Sequence, residues 1–210
     1  MQRFFAIVIA GWFMSSFALA EQAAAPQSAN TAIDEVRKSF TLDGKPIPPE
    51  IFRDLGDGDI ADGISILVTV DLKAAIGSNR YYEDISKSGK WVVQNKANKD
   101  VANGSESSAY SYIGTTANKL LVLVTNYNGG GSGTFYTLHI LDLAPAKAFD
   151  SDGKVYDRLN LTTVREVTLG DRWQGDVKIS GNSIEIQTTK GSLADTNGKV
   201  STKTIEARRP

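Results

Sequence analysis

The chain has 210 residues, 23 Lys+Arg against 24 Asp+Glu, one His and no Cys. That length gives room for one domain, and 41% apolar with 22% charged residues excludes a wholly disordered chain. Without cysteine there is no disulfide framework, thiolate nucleophile, thiolate zinc site or lipidated cysteine; one histidine excludes an H-E-x-x-H site; and a formal charge of -1 gives no global field for nucleic acid.

The first twenty residues read as an export signal. Arg3 supplies a short positive region, Phe4 to Phe13 is almost unbroken apolar sequence, and Ala18-Leu19-Ala20 is a small-x-small cleavage site before Glu21. Ser15 and Ser16 interrupt the run, which is too short to span the ~30 Å hydrocarbon core as an anchor. The sequence therefore predicts residues 1–20 as a signal peptide, 21–30 as a flexible leader, and 31–210 as a single β-rich domain, periplasmic or secreted, with no membrane anchor after cleavage.

The leader is followed by Thr31-Ala32-Ile33-Asp34, which fits a capping box. Ile33, Val36 and Phe40 then recur at helical spacing, predicting one short helix. Asp43-Gly44 predicts a turn, and Pro46, Pro48 and Pro49 argue against ladder pairing there. Pro49 is placed to open a second short helix, Glu50 to Leu55, ended by Gly56.

From Ile64 the period changes to two. Ile64, Ile66, Val68, Val70 and Leu72 predict one long strand. Arg80–Ile85 and Trp91–Asn95 are predicted strands joined across Ser86–Lys90, and 96–107 reads as a polar loop. Ala109–Gly114 and Leu120–Tyr127 flank a Thr-Ala-Asn-Lys turn. Leu120 to Val124 is apolar on both faces, which predicts a central strand covered on both sides. The glycine-rich run Asn126–Thr134 leads to a strand at Phe135–Asp142, which is expected to pair antiparallel with its predecessor.

Pro145 to Phe149 is expected to form a helical turn and Asp150-Ser151-Asp152-Gly153 a reverse turn. Strands follow at Val164–Leu169, Val177–Ser180, Ser183–Thr188 and Val200–Ala207, with Gly181-Asn182 as a tight hairpin turn. The fold class expected is mainly β: an antiparallel sandwich or open barrel of about ten strands, with one or two short N-terminal helices.

Several constellations bear on chemistry. Asp54, Asp57, Asp59 and Asp62 are weak calcium candidates. Their irregular spacing falls short of the six to eight oxygens that calcium wants, and an acidic turn is the plainer reading. Asn128 to Gly133 lacks the G-K-[ST] and following helix of a phosphate loop, so its glycines are expected to serve a hairpin. His139 is expected to be a buried, hydrogen-bonded structural residue, since a triad needs an orienting carboxylate and an exposed Ser.

In Asp171-Arg172-Trp173, Asp171 is expected to hold backbone amides, with Trp173 either entering the core or serving as a partner anchor. Tyr81, Tyr82, Tyr110, Tyr112, Tyr127 and Tyr136 cluster on neighbouring predicted strands; the first four, with Trp173, are the candidate binding surface, because tyrosine suits half-wet faces, and sheet packing is the other reading. No catalytic residue, cofactor or metal site is assigned.

Three stretches together resemble a group of small exported bacterial β-rich proteins: FRDLGDGDIADGISILVTV (52–70) an acidic turn entering a strand, YNGGGSGTFYTL (127–138) a G-G-S-G-x-F hairpin, and LGDRWQGDVKISGNSIEIQT (169–188) an L-G-D-R segment before a hairpin. The resemblance implies export and a β fold, and carries no activity. The function expected is a non-enzymatic binding or inhibitor-like module whose partner is a protein or carbohydrate. The alternative is a carboxylate-dependent hydrolase of cell-wall or sugar substrates.

Overall fold

A computed structural model describes residues 29–56, 68–76, 85–96, 106–191 and 199–209. The expectations for the signal peptide and most of the leader, for Ile64 to Leu67, for Arg80 to Asp84 and for 97–105 of the polar loop lie outside them, while Lys96, Glu106 and Ser107, expected in that loop, are strand.

Helix α1 (Ala29–Ser39) begins before Thr31, so the expected capping box falls inside its first turn. Ala32, Ile33 and Val36 bury its apolar stripe. Phe40 ends it in the left-handed region at φ 53°, with its N–H donated to Val36 O. The Glu35 carboxylate then reaches forward, accepting from Thr41 Oγ1 and the Asp43 and Gly44 amides. That fixes the two-residue hairpin β1 (Thr41–Leu42) and β2 (Lys45–Pro46), whose turn residues Asp43 and Gly44 both hold positive φ. Pairing does occur at Pro46, contrary to expectation. The ladder is two rungs long, and Pro46 stands at its last one. Helix α2 (Ile51–Gly56) follows Pro48-Pro49.

The expected long strand is described as β3 (Thr69–Asp71), and Leu72 instead opens a third helix, α3 (Leu72–Ile76). Asp71 makes that switch: its Oδ1 accepts from the Lys73 amide and from Leu159 N across the sheet. Strands β4 (Ser86–Ser88) and β5 (Trp91–Lys96) form a hairpin about Gly89 at φ 59°. Residues 86–88 are thus strand rather than loop, and Ile85 lies outside it.

The remaining strands are β6 (Glu106–Thr115), β7 (Leu121–Asn128), β8 (Phe135–Phe149), β9 (Val155–Asp171), β10 (Gln174–Ser180), β11 (Ser183–Lys190) and β12 (Ser201–Glu206). Among the described residues, one antiparallel sheet has seven strands in the order β3-β9-β8-β7-β6-β5-β4, and a second has three, β10-β11-β12. The expected turn at 145–149 is strand instead. Pro145 pairs with Leu159 and Phe149 with Val155, so β8 continues to the Asp150–Gly153 turn.

The architecture is a sandwich of open sheets with helices on the outer side. On one face of the large sheet, Leu121, Leu123, Leu141, Leu143, Leu159 and Leu161 pack against α1, α2, α3 and the small hairpin. On the other, Leu120, Val122, Val124, Leu138 and Ile140 pack against Val177, Ile184, Ile186 and Ile205 of the three-stranded sheet. Strand β7 is the fourth of seven, and Leu121 to Val124 are fully or almost fully buried, as its two-sided apolar run requires. Val122 pairs with Ile140.

Candidate functional site

Cross-strand partners share a face, so register places the functional side chains. On the helix side, β7 and β8 pair Tyr127 with Phe135 and Thr125 with Thr137, and β8 and β9 pair Thr137 with Thr168 and His139 with Glu166. One end of that face therefore carries Tyr127, Phe135, Thr137, Thr168 and Glu166 in a block. Tyr127 is 38% exposed and Phe135 58%, a large aromatic exposure for rings held on paired strands.

The glycine loop makes room for both rings. A Cβ on Gly129 would stand 3.3 Å from Tyr127 Oη, and one on Gly133 would stand 3.2 Å from the Phe135 ring. Gly130 holds φ 90°, which a side chain would strain. Asn128 closes the loop: its Oδ1 accepts from Gly130 N and its Nδ2 donates to Gly131 O and Thr134 Oγ1. The expected structural role of these glycines is what the geometry displays.

Asp171 stands against the loop. Its Oδ1 accepts the Thr134 amide at 2.8 Å, and its Oδ2 receives Arg172 Nε and Nη2. The Thr134 amide, then Arg172, holds this carboxyl below the usual carboxylate range. Arg172, at φ 50°, in turn donates its amide to Thr134 O.

Behind the exposed block lies a buried polar row. His139, 3% exposed, bonds through Nε2 to Thr125 Oγ1 at 2.9 Å; its Nδ1 lies 3.0 Å from Glu166 Oε1 but off hydrogen-bond alignment. Phe52 of α2 packs on the imidazole, with centroids 5.2 Å apart. Arg53 pairs with Glu106 at 2.9 Å, and Gln94 Oε1 accepts the Glu50 amide. Thr125, His139 and Glu166 stand in the order of nucleophile, base and orienter. The first two are buried, however, and Thr125 lies mid-ladder between β6 and β8, whose pairing uses the strand amides an oxyanion would need. The row is a tie across β7, β8 and β9, matching the structural role expected for His139.

Other sequence candidates go elsewhere. Tyr110 is 2% exposed in the helix-side core, edge-on to Phe40, and burial raises its phenol pKa. Tyr112 stacks on Phe40 and donates to Arg37 O; burial raises its pKa too. Trp173 is 8% exposed on the opposite face, with Nε1 donating to Thr188 Oγ1 and Tyr136 beside it. The shared tyrosine–tryptophan surface is thus corrected at these three positions: Tyr110 and Tyr112, two residues apart on β6, pack on the helix-side core, and Trp173, in the β9–β10 connection, enters the other core. Tyr81, Tyr82, Asp57, Asp59 and Asp62 lie outside the described residues, as does the side chain of Asp54. Sequence reasoning placed Tyr127 among the clustered tyrosines but missed Phe135 as its exposed partner. The signal was present: two aromatics symmetrically flanking a glycine loop become opposite rungs once the loop is a hairpin.

Among the described residues no group of three His, Asp or Glu side chains is arranged to hold a metal ion, and no helix is long and apolar enough to cross a membrane. The chain matches no protein-family model, no curated protein and no solved structure.

Proposed function

We propose that the protein is an exported binding module, without catalysis of its own, that holds a neutral carbohydrate on the Tyr127–Phe135 end of the helix-side face. The observation that carries this reading is the pair of exposed rings directly opposite each other on one rung of the sheet. Around them stand the hydroxyl and amide groups of Thr137, Thr168, Thr134 and Asn128. Of the nearby carboxylates, Asp171 is paired with Arg172, and Glu166 lies 3.0 Å from His139 Nδ1. Apolar ring surface beside neutral hydrogen-bonding groups suits a sugar, which has an apolar face and a hydroxyl rim.

The hydrolase alternative gains nothing from the spacing of the described carboxylates. Glu106 on β6 and Glu166 on β9 share this face but stand three strand spacings apart, about 14 Å across the strands alone, and are offset along them as well, since Glu166 registers through His139 and Leu123 with Tyr112 whereas Glu106 opens β6. Glycosidase pairs keep roughly 5–10 Å. Asp171 is held low in pKa, the wrong direction for a general acid.

Depletion of the protein by insoluble polysaccharides, with peptidoglycan, cellulose and starch as probes, tests the reading. At least one should remove it from solution, and Phe135→Ala or Tyr127→Ala should weaken that binding about tenfold without loss of fold, as removal of a stacking aromatic does. Failure of all three probes, or retention by both variants, sinks the carbohydrate reading. Export is tested separately: the intact mass of the exported chain should place Glu21 first, and a product beginning at Met1 would remove that half of the proposal.

A further inference from the structure

Strand β9 runs alongside β8 beyond the body of the sheet. β7 leaves β8 at Leu141 and β3 meets β9 at Asn160 to Thr162, so residues 144–157 form a two-stranded arm lacking neighbours on either edge among the described residues. The arm is exposed almost throughout. A lone two-stranded ribbon is marginal in water, so an arm of this kind gains from being covered.

Its faces differ. The rungs Leu143–Leu161 and Pro145–Leu159 carry the helix-side apolar stripe outward, followed by Lys147–Asp157 and then Phe149–Val155 at the tip. Phe149 is 73% exposed and Val155 50%. The other face is lined by Ala144, Ala146 and Ala148 with Tyr156. Pro145 and Lys147 on one edge and Asp157 and Arg158 on the other discourage strand addition, so the arm is built to be met on its face rather than its edge.

We infer that the Phe149–Val155 face of this arm is a contact between two copies of this chain. Charge selects that occupant. The rung below the tip holds one cation and one anion, Lys147 and Asp157, 3.1 Å apart and both largely exposed. A two-fold axis running along two facing arms lays β8 of one over β9 of the other and sets each Lys147 against the partner's Asp157, so the same rung complements itself. The tip carries Asp150 and Asp152 against Lys154, which disfavours an anionic lipid surface. The arm is about 20 Å long and two strands wide, so it buries less than the ~800 Å² per partner of a standard interface. The dimer is therefore weak and concentration dependent.

Sedimentation equilibrium of the purified protein over micromolar to millimolar concentration tests the inference. The protein should self-associate. Lys147→Asp and Asp157→Lys, folded by circular dichroism, should each weaken association by about tenfold. An equimolar mixture of the two variants should associate again, because an arm with two anions then faces an arm with two cations. That restoration separates the contact from the rung within each arm, which both variants have lost. Should either variant fail to fold, carbodiimide cross-linking of isotopically mixed wild-type protein should join Lys147 of one copy to Asp157 of another. A wild-type monomer at the highest soluble concentration, association that both reversals leave intact, a mixture that stays monomeric, or cross-links confined to one copy would each overturn the inference.

Discussion

Backbone space around single residues sets the tightest constraints in this molecule. A Cβ on Gly175 would lie 1.9 Å from Gln187 O and 2.5 Å from Trp173 Cζ2, at the bulge where β10 meets β11. Gly175→Ala should therefore cost about 1–3 kcal/mol, since neither the carbonyl nor the buried indole can yield. Urea unfolding measures this, and a change within 0.3 kcal/mol, about the noise of such comparisons, would show that the strands part easily. Gly130→Val meets a different obstacle, its φ of 90°, with an expected cost of about 1–3 kcal/mol. Asp171 gives a pH signature. Its folded pKa lies below the ordinary 3.8 because the Thr134 amide and Arg172 favour the carboxylate. Its contribution is thus fully present above the unfolded value and is lost as pH falls through the folded one. Thermal midpoints of Asp171→Asn and wild type should differ above pH ~4 and converge in stronger acid. Curves that stay parallel down the acid range would deny the carboxylate that role.

Among the elements, β7 carries the fold because it feeds both cores. Leu123 faces the helices and Val122 the three-stranded sheet, each fully buried. Leu123→Ala should cost about 2–5 kcal/mol, measured by urea unfolding; a cost below 1 kcal/mol would mean that the helix layer collapses freely onto the cavity. This strand was legible from sequence because a run that is apolar on both faces must be covered on both faces. The hairpins at Gly181-Asn182 and Gly129–Thr134 were legible because glycine chemistry marks them. The end of β8 was not. Ala144-Pro145-Ala146-Lys147-Ala148 has neither alternating hydrophobicity nor strand propensity, and its strand state comes from its partner on β9. The exposed ring pair and the His139–Thr125–Glu166 tie were hidden for a related reason. Which side chains share a face across three strands is a fact of register, and the bulges in β9 opposite Tyr136/Thr137 and Ile140/Leu141 shift it in ways composition does not record.

At the scale of the whole molecule, the two sheets are tied at one corner by turns rather than by core alone. The β6–β7 turn donates Ala117 N to Gly181 O and Asn118 N to Asn182 Oδ1 of the β10–β11 turn. Asn118 Nδ2 donates to Ala207 O, while Ala207 N donates to Asn182 O. Arg209 closes the corner, with Nε and Nη2 on the two Asp142 oxygens and Nη1 on Asn118 O; the Asp142 hydrogen bond raises its pKa, so it stays charged at any ordinary pH. Arg209 is 44% exposed, so its pairing with Asp142 should contribute modestly, about 1 kcal/mol or less. Asn118 satisfies a carbonyl from the body of the protein, and Asn118→Ala should cost about 1–2 kcal/mol. Arg209 bonds Asn118 O and Asn118 bonds Ala207 O on the same terminal segment, so the double variant should be non-additive, the second loss being smaller once the corner is open. The opening should also be local. Amide exchange should quicken across β10, β11 and β12 in either variant while β7, locked between two neighbours and two cores, keeps its protection. If protection instead falls equally in both sheets, the sheets unfold as one unit and the corner is no hinge between them.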